Sequence, residues 1–434
     1  MTKAHVANTR IKAPVSKGLI QASFFLLLLL SLLSPFMILS DLPGMGENSL
    51  IRQVAYPAIT LLLLIAIRPD SNLSNLTPIA WPLLAALGWC WLSLAWSIDR
   101  GASLSHLILT SIILWGIFVC VTQLRFEQIL LLVRVALVLL VALNFIVLLF
   151  DPSFAIHQSN DMVESKLAGD WRGMMMHKNY AGAVMAMTIL FFTFHARTIW
   201  MPLRLAVIGA AAVFLYYSTS KTSTGMVITA LVIGLFLRHY HFRYRPVMVI
   251  LLMILGIGAV TLNFIYRNPL KEQWSNPDAF TGRTLIWDML LRYWQDHFWL
   301  GSGFGAFWNT GSGSPVYSYA TGWVTGIGTG HNGYLDLLAQ TGLIGAVIII
   351  MACLLWPLTL LLLGKRSDGE QTALLTAIMV FCIGHNFTES SIFDRDAIMN
   401  LFLLLTVGLI VKGERKGAGK AFDFRFKPAD ARGS

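Results

Sequence analysis

Four stretches of the 434-residue chain set cations or a histidine among small polar residues beside apolar runs. The first, Trp171-Arg-Gly-Met-Met-Met-His-Lys-Asn-Tyr-Ala-Gly182, carries Arg172 and Lys178. The second, Ser218-Thr-Ser-Lys-Thr-Ser-Thr-Gly225, is centred on Lys221. The third, Gly282-Arg-Thr-Leu-Ile-Trp287, brings Arg283, and the fourth, His331-Asn-Gly-Tyr-Leu-Asp336, brings His331 and Asn332. Cations gathered on one face can stabilise an anionic group. A neutral histidine with a pKa near ~6.5 can accept a hydroxyl proton. The bland alternatives are a lysine that snorkels to an interface and a histidine that only marks the end of a membrane span.

Other ionisable positions carry less. Asp394-Arg-Asp396 is a D-x-D, but it sits in a short loop with Arg395 between the carboxylates, so charge pairing is expected and no metal or cofactor is assigned. Arg134 lies inside an apolar run, where it snorkels or forms a buried pair. His106, His297 and His385 read as packed or interfacial. Cys90, Cys120, Cys353 and Cys382 all fall in apolar runs and read as core residues.

The elements that must position these residues follow from composition. Hydrophobic residues make up 56% of the chain and charged residues 12%, about half the charged fraction of a soluble domain (~25%). A cytosolic enzyme, a disordered chain and a disulfide scaffold are excluded, and an all-α polytopic membrane protein remains. About twelve spans are legible, near 19–39, 50–67, 78–96, 105–124, 128–150, 179–196, 202–217, 225–237, 246–265, 334–363, 371–387 and 397–411. The organisation predicted is a cytoplasmic N-terminus at 1–18, nine spans over 19–265, a long outer loop at 266–333, three spans over 334–411 and a basic cytoplasmic tail at 412–434. With both termini in the cytoplasm, twenty of the 32 Lys and Arg fall inside and eleven outside, which is the positive-inside pattern. The basic tail and Arg238-His-Tyr-His-Phe-Arg-Tyr-Arg245 are explained by that rule and by anionic lipid, so no nucleic acid partner is expected.

The long outer loop holds six of the fourteen tryptophans and ten glycines within 266–331. Linkers lack aromatics, so this segment is expected to fold. Arg283–Gln295 reads as an amphipathic helix along the membrane interface, with Thr281 as N-cap and Leu285, Ile286, Met289, Leu290, Tyr293 and Trp294 on its apolar face. The aromatics form an interfacial belt or a groove that stacks on sugar rings. The glycines serve tight turns.

Taken in order, these pieces resemble the O-antigen ligase and polysaccharide polymerase superfamily of bacterial inner membranes. The resemblance rests on His331-Asn-Gly-Tyr-Leu with Gly342 and Gly345, on Gly282-Arg-Thr-Leu-Ile-Trp287 with Gly301-Ser-Gly303, and on His177-Lys-Asn179 and Ser220-Lys-Thr222. Trp96-Ser-Ile-Asp99 and Asn386-Phe-Thr-Glu-Ser390 also fit. It implies a metal-independent GT-C-type glycosyltransferase, multi-pass in the inner membrane, whose donor is a polyprenyl-pyrophosphate-linked glycan and whose acceptor is a glycan or a lipid. It also implies a chain-length regulator as partner. The resemblance marks the positions of Lys221, Arg283 and His331 as functional, and the chemistry of the residues gives the roles: His331 is the candidate base, Arg283 and Lys221 are candidate pyrophosphate clamps, and Arg172, Lys178 and Asn332 are candidate contacts to phosphate or glycan.

Lys221 stands where the ligases have Arg, and Ser-Lys-Thr looks more like the exopolysaccharide polymerase branch. A lysine gives a point charge where arginine gives a fork. Polymerisation of repeat units is therefore the first reading. Ligation to lipid A core is the second, and a lipid-linked glycan transporter is the rival class, although no 6+6 repeat is evident.

Overall fold

The computed structural model describes residues 15–33, 50–69, 73–159, 167–238, 244, 282–364 and 369–421. Its elements are helical, with no named strand among the described residues. They are α1 (Lys17–Leu33), α2 (Leu50–Ile67), α3 (Trp81–Leu92), α4 (Arg100–Gln123), α5 (Phe126–Phe150), α6 (Lys178–Thr193), α7 (Met201–Tyr217), α8 (Lys221–Arg238), α9 (Arg283–Asp296), α10 (Gly333–Ile350), α11 (Trp356–Leu363), α12 (Gly369–His385) and α13 (Ile398–Ala421). Two four-residue helical turns, Pro152–Ala155 and Val316–Tyr319, and short 3-10 turns lie in the connections.

Eleven of the twelve predicted runs coincide with helices. The ninth, 246–265, lies outside the described residues, as do Thr281 and most of the basic stretch 238–245. Arg100–Gln123, Phe126–Phe150, Lys221–Arg238 and Gly333–Leu363 are long and apolar enough to cross a membrane, and α1, α2, α3 and α7 are shorter apolar helices. Large apolar side chains such as Leu61, Leu131, Leu149, Phe150 and Val232 point outward, fully or half exposed. Such a surface belongs against lipid. One continuous apolar core runs from α1 to α13, and α8 packs closely along α12.

The helix ends have identifiable causes. Asp99 caps α4 by accepting from Ala102 N at 2.9 Å. His177 caps α6 through Asn179 N at 3.0 Å. Asn332 caps α10 by accepting from Tyr334 N and Leu335 N, both at 3.1 Å. Arg134 does not snorkel, and it forms no ion pair among the described residues. It is buried and donates to the carbonyls of Phe191 (3.0 Å), Phe194 (3.2 Å) and His195 (2.8 Å), which are the orphan acceptors at the end of α6. Lys412 does the same at the end of α4, through the carbonyls of Val121 (2.6 Å) and Leu124. The last helix continues past the predicted boundary at 411 to Ala421.

The tenth run departs most from expectation. It is interrupted at Gly342, which has φ 66° and ψ −174°, and again by a π-helical turn at Met351–Leu355. Residues 298–303 lie in the first break. Ser302 N and Gly303 N donate to the carbonyls of Ala339 and Gln340, both at 2.9 Å, and Leu343 N donates to the Phe298 carbonyl at 2.9 Å. A Cβ on Gly342 would strike the Trp299 carbonyl. Only glycine combines that φ with that approach.

The apolar stripe of α9 also differs from the prediction. Ile286, Met289, Leu290 and Tyr293 are buried as expected, but Trp287 joins them and Leu285 is exposed. The stripe packs on Phe307, Val316, Ala320, Val324 and Ala339. The aromatic loop therefore makes a small core of its own and covers α9 with it.

Candidate active site

The N-terminal ends of α6, α8 and α10 meet the C-terminal end of α12 and the loop that follows it. Glu389, on that loop, is the hub. Its Oε1 accepts from Arg283 Nη2 at 2.8 Å and from Asn179 Nδ2 at 2.6 Å, and its Oε2 lies 3.3 Å from His331 Nδ1. Arg283 Nη1 also donates to the Thr388 carbonyl. Burial would raise the Glu389 carboxyl; the His331 hydrogen bond and the charges of Arg283, His331 and His385 outweigh burial and hold it well below the usual carboxylate range. The group is an anion between a guanidinium and an imidazole.

Each partner is placed by local structure. Arg283 opens α9, directly after Gly282 with φ 85°. His331 sits just before α10 with φ 46°, a conformation that costs a non-glycine residue energy and needs support. Support comes from both sides. Before it, Gly330 N donates to Asp336 Oδ2 at 3.1 Å and the Gly330 carbonyl accepts from Trp287 Nε1 at 3.1 Å. After it, Asn332 N donates to Ser390 Oγ at 3.0 Å and Asn332 Nδ2 to the Phe387 carbonyl at 3.2 Å. Asp336 also accepts from Trp308 Nε1 at 2.8 Å.

The six residues singled out in the sequence take different places. Arg283 and His331 come together on Glu389. Lys221 is the first residue of α8, exposed and without an ion-pair partner among the described residues. Its neighbour Thr222 touches Thr388, with the two hydroxyl oxygens 2.7 Å apart, so Lys221 lies at the rim of the cluster. Asn332 is occupied as the α10 cap. Lys178 is paired with Asp170 at 2.6 Å and donates to Thr219 Oγ1 at 2.9 Å. Arg172 is buried, with Nε donating to the Phe154 carbonyl at 3.1 Å and Nη1 3.5 Å from His157 Nδ1. Arg172 lies in the connection before α6, and Lys178 is the first residue of α6 and pairs back to that connection.

Sequence reasoning missed the role of Glu389 and Asn179, although both lie in stretches it singled out. It read Asn386-Phe-Thr-Glu-Ser390 and His177-Lys-Asn179 as motifs without assigning the carboxylate or the amide. His177 lies near the same cluster. Burial lowers its pKa to about 3, against a raising effect of Glu389, and His157, His331 and Arg283 lower it further. It is therefore a neutral cap. For the D-x-D, Asp396 pairs with Arg52 at 3.1 Å and accepts from Tyr56 OH at 3.1 Å, and Asp394 lies 3.6 Å from Arg395. Charge pairing is what these carboxylates do.

Glu389 also forms part of the wall of a cavity of about 460 Å³, which extends between α2, α4, α6, α10 and the loop after α12. Of the cluster, Glu389 and Asn179 line this cavity, and Lys221 stands at the rim on another side.

Residues 205–350 match the family model described as O-antigen ligase. The matched stretch contains Lys221, Arg283 and His331 and supports a place in the O-antigen ligase and polymerase superfamily, as the motifs implied. It stops short of Glu389. No curated protein matches the chain.

Proposed function

We propose that the protein is a membrane glycosyltransferase of the O-antigen ligase and polymerase type. It moves a glycan from a polyprenyl-pyrophosphate carrier to a sugar hydroxyl at the periplasmic face of the bacterial inner membrane. The observation that carries this reading is the convergence of Arg283 and His331 on Glu389 beside a cavity.

The chemistry follows from that arrangement. A proton on His331 Nδ1 satisfies the Glu389 carboxylate and leaves Nε2 to accept the proton of the attacking hydroxyl. The acceptor oxygen forms a bond to the anomeric carbon as the bond from that carbon to the pyrophosphate oxygen breaks. The electron pair leaves on the pyrophosphate, the proton ends on Nε2, and Glu389 stabilises the imidazolium. This base-and-orienter arrangement is the general logic of activated nucleophiles. Pyrophosphate charge is met by Lys221 and by the Arg283 guanidinium, which Glu389 and Thr388 hold in a fixed orientation. A single displacement inverts the anomeric centre. Lys178 and Arg172 act one layer out, by holding the connection before α6, and Asn332 acts by fixing the backbone of His331.

The test is transfer by purified protein from a polyprenyl-pyrophosphate-linked repeat unit. His331→Ala is expected to lose at least ~100-fold in rate, within the range of general base catalysis. Transfer by this variant at the wild-type rate would sink the assignment.

Polymerisation of repeat units is the first reading, because Lys221 departs from the ligase arginine. Ligation is the second, favoured by the description of the matching family. Deleting the gene and analysing glycans separates them. Loss of long-chain polymer supports the polymerase. Loss of glycan on an outer-membrane acceptor, with polymer still made on the lipid carrier, supports the ligase.

A further inference from the structure

The cavity behind Glu389 has a chemistry of its own. His385, the last residue of α12, lines it while only 4% exposed, and neither of its ring nitrogens has a hydrogen-bond partner among the described residues. A buried imidazole with both nitrogens unanswered costs free energy unless a ligand engages it. Gln340 lines the same space, and its Oε1 is fixed by Gly305 N at 2.8 Å, which leaves the amide NH2 as a donor. Asp394 adds a half-exposed carboxylate. Tyr180, 45% exposed, and Trp308 add aromatic faces to the wall.

Charge narrows the class of ligand. The ionised groups on this wall cancel in pairs, Arg52 with Asp396, Arg395 with Asp394, and Glu389 with Arg283 from beyond it, and the carboxyl left over, Asp336, is engaged by Trp308 Nε1 and Gly330 N, so the wall carries no surplus of cations. A phosphate would need cations in excess. An acyl chain would leave the His385 and Gln340 polar atoms unsatisfied. A neutral ring with hydroxyls on its edges and C–H groups on its faces satisfies both kinds of wall. A volume of about 460 Å³ falls in the range of small-molecule pockets, about 300–1,000 Å³.

We propose that this cavity is a saccharide site that holds a sugar ring of the acceptor, with His385, Gln340 and Asp394 bonding its hydroxyls and Tyr180 and Trp308 flanking its faces. The assignment of that sugar as the acceptor rests on the transferase reading above. It places the acceptor on the cavity side of Glu389 and the carrier pyrophosphate on the Lys221 side.

The experiment is saturation-transfer NMR on the full chain in an amine-oxide detergent, which lacks sugar headgroups. The probes are the methyl glycosides of glucose, galactose and N-acetylglucosamine. At least one should receive transfer from the wild type, and the signal should fall at least fivefold in His385→Leu and in Gln340→Leu. Tyr180→Ala removes an exposed ring with little risk to folding and should lose the signal too. No transfer to any glycoside, or equal transfer from all three variants, overturns the site. Stabilisation of each variant by farnesyl pyrophosphate in a thermal melt confirms folding. It also separates the two readings: if farnesyl pyrophosphate fails to stabilise the wild type while glycoside binding depends on His385, the donor assignment falls and the saccharide site stands.

Discussion

The helix bundle and the aromatic segment at 282–332 are held together in different ways. In the bundle, apolar side chains from α1 to α13 share one core, and any one contact is a small part of a large sum. The segment at 282–332 has its own core, around Ile286, Trp287, Met289, Leu290, Tyr293 and Phe307. Beyond the packing of its core on Ala339 of α10, its attachment to the bundle uses individual polar contacts: the backbone bonds at the Gly342 break, the reach of Asp336 to Gly330 and Trp308, and the Arg283–Glu389 pair. The bundle sets the level of the site. The segment sets the angle at which Arg283 and His331 meet Glu389.

The largest break in this comparison is expected from Glu389→Gln. An amide cannot neutralise Arg283 or stabilise the His331 imidazolium, so transfer should fall about 100- to 1,000-fold, the scale of losing one preorganised electrostatic partner. Steady-state rates on purified protein measure it, and helical circular dichroism should stay at the wild-type level. A loss under tenfold would show that Glu389 is only structural.

The same substitution at the junction of the two regions and inside the bundle should act with opposite sign. Gly342→Ala forces a left-handed φ on alanine and drives a methyl into the Trp299 carbonyl, at a cost of at least about 3 kcal/mol. Gly209→Ala, in α7 with open space around it, should stabilise by about 0.5–1 kcal/mol. Thermal melts in detergent compare them. Equal shifts would remove the distinction between the regions.

The smallest effect concerns acid. The pKa of His177 is lowered to about 3 by burial, against an ordinary 6.5. The neutral form is the folded one, so stability is full above pH 6.5 and is lost progressively as pH falls toward 3, where the unfolded chain binds the proton first. His177→Asn keeps a good cap and should flatten that slope in melting temperature. An unchanged slope would place the acid sensitivity elsewhere. Glu389, also depressed, contributes stability above the usual carboxylate pKa and loses it only in stronger acid.

How much was legible in the sequence divides along the same line. Apolar runs give the helices because each run carries its own signal within about 20 residues. Arg283 and His331 were found by residue type and neighbourhood. Glu389 was not, because a carboxylate in a short loop looks like any surface anion until a partner 106 residues upstream reaches it. Lys178 and Arg172 looked like free cations for the same reason, since Asp170 and the Phe154 carbonyl are visible as partners only in three dimensions. Gly342 was noticed in the sequence, but that it breaks a helix depends on what residues 298–303 do.

The stitching of residues 298–303 into the broken helix has a mechanical consequence. A lid that swings about the end of α9 would have to tear the backbone bonds at Ala339, Gln340 and Leu343, and would drag the first half of α10 along. That half-helix begins two residues after His331. His331, Arg283 and their covering segment therefore travel as a unit.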